Sequence, residues 1–219
     1  MKTAVIIGAT GLVGHTLVKK LLEDSRYQSI KTFNRRSSGI IHPKLKEYIV
    51  DFDEMGKWKQ LITGDELFSA MGTTIKKAGS KETQYKIDVT YQYEIAKSAA
   101  ENGVQNYFLV SSVGANSKSK IFYLRIKGEL DEKVQQLSYN KIRIFRPSLL
   151  LGKRKEKRFG EKTAERILKI AIPLIPFLKN QRPIEADKVA RAMITSANKE
   201  DNEPIKIYGI DEIFKLGEN

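Results

Sequence analysis

The chain contains no cysteine among its 219 residues. That excludes a disulfide framework, a thiolate metal site and a cysteine nucleophile, and it fits a reducing compartment. Histidine is almost as scarce. With only His15 and His42 the chain cannot build a histidine-rich metal site, so no metal centre is expected. Long apolar runs are missing as well. Residues 167–178 form the longest later stretch, but Lys169, Pro173 and Pro176 interrupt it and it is too short to span a bilayer. Lys2 followed by an apolar run has the outline of a signal peptide, yet Gly8, Gly11 and Gly14 cut that run and no small-residue cleavage pattern follows. A soluble, cytoplasmic protein without membrane contact is the expectation.

Positive charge is abundant, with 39 Lys and Arg against 26 Asp and Glu and a formal net charge of +13. The basic residues are spread along the chain among acidic ones, as at Lys81-Glu82, Glu132-Lys133 and Lys199-Glu200. The densest cluster, residues 153–158, has no interleaved aromatics on which bases could stack. The pattern argues against specific nucleic-acid binding and for a solvated basic face suited to anionic ligands.

Apolar strand-like runs alternate with helical spacing along the chain, which predicts an α/β fold around a parallel sheet. Residues 4–7 are an unbroken buried-strand run, and Leu12-Val13, Leu17-Val18 and Leu21-Leu22 then recur at helical spacing. Further strands are predicted at 29–33, 48–50, 66–71, 107–110, 142–145 and 205–208, about seven in all. Helices are predicted at 54–61, 82–101, 122–137, 161–172 and 186–197, with a polar loop over 72–74 and 76–81. The whole chain, 1–219, reads as one domain. Residues 152–185 do not fit the repeating unit and are expected to form a small appendage over the substrate, with Ile172, Leu174, Ile175, Phe177 and Leu178 available for a pocket wall, a homodimer interface or a protein partner.

The organising stretch is residues 4–14. Gly8, Gly11 and Gly14 follow the first strand and open the first helix, the context that a dinucleotide fingerprint requires. Gly8 permits a tight turn, Gly11 lets the backbone approach a pyrophosphate, and Gly14 allows close packing of helix on strand. The helix N-terminus offers free N–H groups to the anion. Ligands of such sheets sit beyond the carboxyl ends of the strands. At the second strand's end an NAD site places a carboxylate for the ribose 2′-OH, whereas this chain carries Asn34-Arg35-Arg36. Two guanidiniums suit a 2′-phosphate, so NADP(H) is the expected cofactor. Asp51, ending the third strand, is placed to approach the adenine.

Tyr123 and Lys127 lie four apart on a predicted helix, a rise of about 6 Å that puts phenol and ammonium on one face. A phenol with an ordinary pKa near 10 needs a neighbouring cation to shuttle protons at neutral pH. Ser111 and Ser112 end the fifth strand and could hold a substrate carbonyl.

The segments GATGLVG, NRR, MGTT followed by KAGS, FLVSSVGA, YLRIKGE and FRP resemble an atypical branch of the short-chain dehydrogenases/reductases, the Tat-interacting-protein-type oxidoreductases, with NmrA-like regulators as more distant relatives. The resemblance covers residues from about 3 to 158. It implies a Rossmann-like doubly wound parallel sheet with helices on both faces and an NADPH-dependent oxidoreductase acting on a carbonyl or related small organic substrate. By that resemblance Thr10, Gly11, Leu12 and Val13 line the pyrophosphate, Arg35 and Arg36 hold the 2′-phosphate, and Met71 and Gly72 flank the adenine-ribose side. Tyr123 and Lys127 form the active pair, with Arg158 reaching the cofactor. The gap to Tyr123 is eleven residues from Ser112 and twelve from Ser111, tighter than the usual spacing, and either serine fits. A non-catalytic NADP(H)-binding redox sensor that keeps Tyr123 and Lys127 as ribose contacts is the alternative, and an epimerase or dehydratase that uses the cofactor transiently is a third.

Overall fold

The computed structural model describes residues 1–152 and 182–218. Its strands are β1 (Lys2–Ile7), β2 (Tyr27–Asn34), β3 (Leu45–Ile49), β4 (Glu66–Ser69), β5 (Asn106–Val110), β6 (Lys141–Phe145), β7 (Leu150–Leu151), β8 (Ile184–Glu185) and β9 (Ile205–Tyr208). Its α-helices are α1 (Leu12–Glu23), α2 (Ile75–Ala78), α3 (Lys81–Tyr85), α4 (Tyr91–Glu101), α5 (Phe122–Val134), α6 (Ala186–Ala197) and α7 (Ile210–Leu216). Seven strands form one parallel sheet in the order β3-β2-β1-β4-β5-β6-β9. No described helix is long and apolar enough to cross a membrane.

Alternation along β1 shows why helices cover both faces. Ala4 and Ile6 join a core with Leu17 and Leu21 of α1 and Val189 and Met193 of α6, while Val5 and Ile7 join Ile95 and Ala99 of α4 and Leu130 and Val134 of α5. A strand apolar on both sides needs a helix layer on each. The expected doubly wound, Rossmann-like sheet is therefore what the chain adopts. Ile7 stands level with Phe33 of β2 and Ser69 of β4, so three strand ends share one carboxyl edge. The chain winds to one side of β1 through β2 and to the other through β4, and the crevice between the two directions is the ligand position of such sheets.

Local departures from the sequence expectations have physical causes. Residues 52–61 fold as two 3₁₀ segments, Phe52–Lys57 and Lys59–Leu61, rather than an α-helix. Phe52, Met55, Trp58 and Leu61 recur every third residue, the 3₁₀ period, and the Asp51 side chain caps the turn by accepting from Asp53 N. Within the expected polar loop, Thr74 caps the short α2 and Ser80 caps α3. The single long helix expected over 82–101 is α3 and α4 joined by a π-helical turn, Lys86–Thr90. The third strand starts earlier than expected and the fourth stops at Ser69. Most of the expected appendage lies outside the described residues; the residues flanking it, Leu150 and Leu151, pair with Ile184 and Glu185.

Two packing features set the frame of the crevice. A Cβ at Gly128 of α5 would lie 2.2 Å from Ser117 N and 2.3 Å from Asn116 C, so only glycine lets the loop after β5 lie flat on the helix. At the opposite, amino edge of the sheet, buried Glu66 accepts from Lys2 Nζ and from Tyr27 Oη, each at 2.6 Å. Burial pushes the Glu66 carboxyl above its ordinary value of 4.5 despite those two donors.

Gly128→Ala is expected to destabilise the protein by about 1–3 kcal/mol through overpacking, measured by urea unfolding. Lys2→Met should leave the Glu66 carboxylate short of a cation. Because burial raises the folded pKa of Glu66 above its ordinary value, the carboxylate that Lys2 neutralises forms only as pH rises through that raised pKa, so the loss is felt above it and fades below. The expected cost is about 2 kcal/mol at pH 7.5, reduced for the partial exposure of Lys2, and distinctly less at pH 4.

Candidate active site

The turn between β1 and α1 brings three backbone segments closer than any side chain allows. Gly8 has φ +83°, and a Cβ there would meet Ala70 C and O at 2.5 Å. A Cβ on Gly14 would lie 2.2 Å from Gly8 O, and one on Gly11 3.1 Å from the same atom. Gly11 N donates to Gly8 O at 2.9 Å, which closes the turn. Gly11 is also the N-cap of α1 and supplies no side-chain cap, and the first turn of α1 holds no acidic residue. Thr10 is exposed beside this open helix end, while Leu12 is half-buried and Val13 is buried in the core. A cradle lined by amides and a helix N-terminus, too tight for a Cβ, fits a pyrophosphate group.

Beyond β2, Arg35 and Arg36 are exposed, and neither forms an ion pair among the described residues. A carboxylate does stand near them, supplied by β3. Glu47 Oε1 accepts from Asn34 Nδ2 at 3.1 Å and from Ser38 N at 2.8 Å. Burial alone would raise its pKa, but the Ser37, Ser38 and Asn34 donors lower it below the ordinary value. Glu47 is thereby occupied in holding the loop that carries the arginines. Asp51 is exposed just beyond β3, with Oδ1 accepting from Asp53 N at 2.9 Å.

Past β4, Met71 is half-buried and Gly72 exposed. The π-helical turn aims Asp88 at this strand end. Asp88 Oδ1 accepts from Thr73 N at 2.7 Å, and Oδ2 accepts from Gln84 Nε2 at 3.2 Å. Gln92 links Asp88 O to Ser69 Oγ, donating to the first at 2.7 Å and accepting from the second at 2.6 Å. π-helical turns recur where one residue must be redirected into a site.

α5 supplies Tyr123 and Lys127 from one face. Tyr123 is half-buried and its hydroxyl makes no hydrogen bond among the described residues. Lys127 is 4% exposed, and its Nζ lies 3.6 Å from the space a Gly72 Cβ would fill, with Asp88 Oδ1 3.5 Å from the same point. Burial works against the lysine's charge, but Asp88, Tyr123 and Asp131 outweigh it and hold its pKa above the ordinary lysine value. Ser111 and Ser112 follow β5 and are both buried. Ser111 N donates to Phe145 O at 2.7 Å, tying this strand end to β6, and Ser112 Oγ donates to Val113 O at 3.3 Å.

The structure therefore gathers Gly72, Lys127 and Asp88 at one point of the carboxyl edge, with Tyr123 one helical turn away. The glycine turn abuts the same strand end through Ala70 and Met71. Arg158 lies outside the described residues. Sequence reasoning missed Asp88, Glu47, Asp131 and Gly128. A carboxylate four residues after Lys127 was a readable signal for Asp131; nothing in the local sequence marks the π turn at Asp88.

Comparison with known proteins fits this geometry. The chain matches the NAD dependent epimerase/dehydratase family over residues 4–211. It is 37% identical over 223 residues to "Protein FMP52, mitochondrial" of Candida albicans, covering 96% of each chain. It is 33% identical to "Protein fmp52, mitochondrial" of Aspergillus fumigatus, covering 99% of each. Among solved structures, UDP-glucose 4-epimerase of Thermotoga maritima with UDP-glucose superposes with a TM-score of 0.68 at 14% identity, over 99% of this chain and 81% of that one. That last likeness concerns the fold. The relatives' names overturn the cytoplasmic expectation. Lack of cysteine distinguishes reducing from oxidising surroundings but not cytosol from mitochondrion, and an address read by a receptor leaves no trace in core composition. The broad short-chain dehydrogenase/reductase resemblance holds, and the chain belongs to the NAD dependent epimerase/dehydratase family, whose members bind NAD(P).

Proposed function

We propose that the protein is an NADPH-dependent oxidoreductase of the Tat-interacting-protein-type branch, reducing a carbonyl or related small organic substrate, in a mitochondrial setting as its relatives' names suggest. The observation that carries the reading is Lys127: a buried ammonium, kept charged by its neighbours, at the carboxyl edge of the sheet and one turn from an unbonded tyrosine hydroxyl. A structural lysine would end in an ion pair or at the surface. This one faces the crevice beside Gly72.

The cofactor would lie with its pyrophosphate on the amides of the Gly8–Gly14 turn and its 2′-phosphate against Arg35 and Arg36, with Met71 and Gly72 beside the adenine-ribose side. When bound, it supplies the hydride. Tyr123 donates its hydroxyl proton to the substrate oxygen as charge develops there, a contribution of about 10²–10⁴-fold. Lys127 stabilises the phenolate that remains and would help hold the ribose of the bound cofactor. A serine hydroxyl from the end of β5 holds the substrate oxygen. Asp51 would stand at the adenine end, all within a single domain.

Titration of the purified protein, followed by nicotinamide fluorescence at physiological salt, should show NADPH bound in the micromolar range and NADH much more weakly. Replacing Arg35 and Arg36 together by alanine is expected to weaken NADPH binding about 10–100-fold and leave NADH unchanged, the loss of charge-assisted contacts to one phosphate. Equal affinities in the parent protein would remove the 2′-phosphate assignment. In a panel of carbonyl substrates, Tyr123→Phe should lose turnover and keep NADPH affinity. A panel with no NADPH consumption would remove the reductase reading and leave the sensor or an epimerase or dehydratase that uses the cofactor transiently.

A further inference from the structure

Beneath the Tyr123–Lys127 pair lies a second buried charge that the proposed chemistry does not use. Asp131 follows Lys127 by four residues on α5, about 6 Å along the same face, and is 1% exposed. Arg146, just beyond β6, donates to it from Nε at 2.9 Å and approaches with Nη2 at 2.9 Å, both to the same oxygen, Oδ2. A carboxylate serving only as a clip for an arginine would share the guanidinium between both oxygens in the usual fork. Here Oδ1 is left without a hydrogen bond among the described residues, and so is the buried Ser111 Oγ that faces Asp131. Two buried polar atoms that face one another and have no hydrogen bond to any other described residue, beside an ammonium, call for a function.

We infer that Asp131 is a positioning residue that anchors the Lys127 ammonium from below with Arg146 and Ser111, which assigns Ser111 to the anchor and leaves Ser112 as the serine that meets substrate. The inference rests on the Tyr123–Lys127 reading above. The charged chain runs Asp88, Lys127, Asp131, Arg146, from the π-helical turn through α5 to the end of β6. Among the described residues the titratable groups facing Asp131 are Lys127 on its own helix, Arg146 beyond β6, and Tyr107 from β5, whose hydroxyl is also buried without a partner. Asp88 and Tyr123 face Lys127 from the other side. Asp131 thus holds Lys127 in place while Arg146 keeps the sum of buried charge small. The pKa of Asp131 is raised by burial and lowered in part by Ser111, Arg146 and Lys127.

The test is NMR of the full chain with ¹³C-labelled lysine and aspartate, following Lys127 Cε and Asp131 Cγ through a pH titration. In Asp131→Asn the Lys127 titration should fall by about one pH unit or more, because burial persists while one stabilising anion is gone. Asp131→Glu should restore most of it. An unchanged Lys127 titration in a folded Asp131→Asn protein overturns the inference and reduces Asp131 to a structural clip between α5 and β6. Ser111→Ala and Ser112→Ala disturb packing least and decide the matter should Asp131→Asn fail to fold. The first should move the Asp131 titration upward and the second leave it in place; equal behaviour of the two overturns the division between the serines. Lys127 titration is read without substrate, so it stands apart from Tyr123→Phe turnover. A Tyr123→Phe protein that keeps full turnover would instead remove the reaction the anchor serves.

Discussion

An ammonium group that has almost left water must be neutralised by groups fixed around it, and the carboxyl edge of this sheet is built to that requirement. Burial penalises a charge whose surrounding anions move away, so the surroundings of Lys127 are not free to drift. Asp88 reaches it because a π-helical turn redirects a helix that would otherwise run straight. α5 presents it because Gly128, the next residue, lets the loop after β5 press against the helix. Asp131 and Arg146 complete the charge balance at the end of β6. Four separate elements converge on one cation, and their convergence defines the floor of the crevice.

The other half of the crevice depends on backbone instead of charge. Gly8, Gly14 and the strand end at Ala70 approach within distances that exclude a Cβ on either glycine, so the turn is specified by what is missing from two side chains. Any anion bound there would be held by amides and the dipole of α1, which persist whatever the neighbouring side chains are. The arginine pair differs again: it is exposed, held on a loop, and organised by Glu47 through Asn34 and Ser38. On the proposed reading, fixed backbone would meet the common part of a dinucleotide and exposed cations the distinguishing phosphate, since discrimination needs only the latter.

Much of this was legible in the residues. Unbroken apolar runs and their alternation with helical spacing gave the doubly wound sheet, because strands buried on both faces leave a run with no polar gaps. The glycine turn and the Tyr123–Lys127 spacing were legible because each is a local pattern. Residues 52–61 were misread for a physical reason: an apolar repeat of three fits a helix window of 3.6 over so short a segment, and the Asp51 cap tips it to 3₁₀. The π-helical turn left no mark, since one extra residue in a helix shifts the apolar stripe by less than the stripe's own width. Asp88 and Glu47 act across the sheet on strand ends far away in sequence, a relation that no periodicity encodes. The compartment was misjudged because it is not a property of the fold at all.

The two halves of the crevice share no side chain, and that separation bears on how such a protein changes. The glycine turn and the arginine loop lie on the β1–β3 side, while Tyr123, Lys127, Asp131 and Arg146 lie on the β5–β6 side. Sites without shared partners tend to behave additively, so substitutions in the arginine loop should leave the charge balance around Lys127 intact, and the reverse. β4 is the exception. Its end carries Ala70 and Met71 against Gly8 and leads into Gly72 against Asp88 and Lys127, so a shift of that one strand end disturbs both halves together. On the proposed reading Gly72 is therefore where cofactor geometry and proton-transfer geometry would be coupled, and its lack of a side chain lets the ammonium of Lys127 stand beside the crevice instead of behind a methyl group.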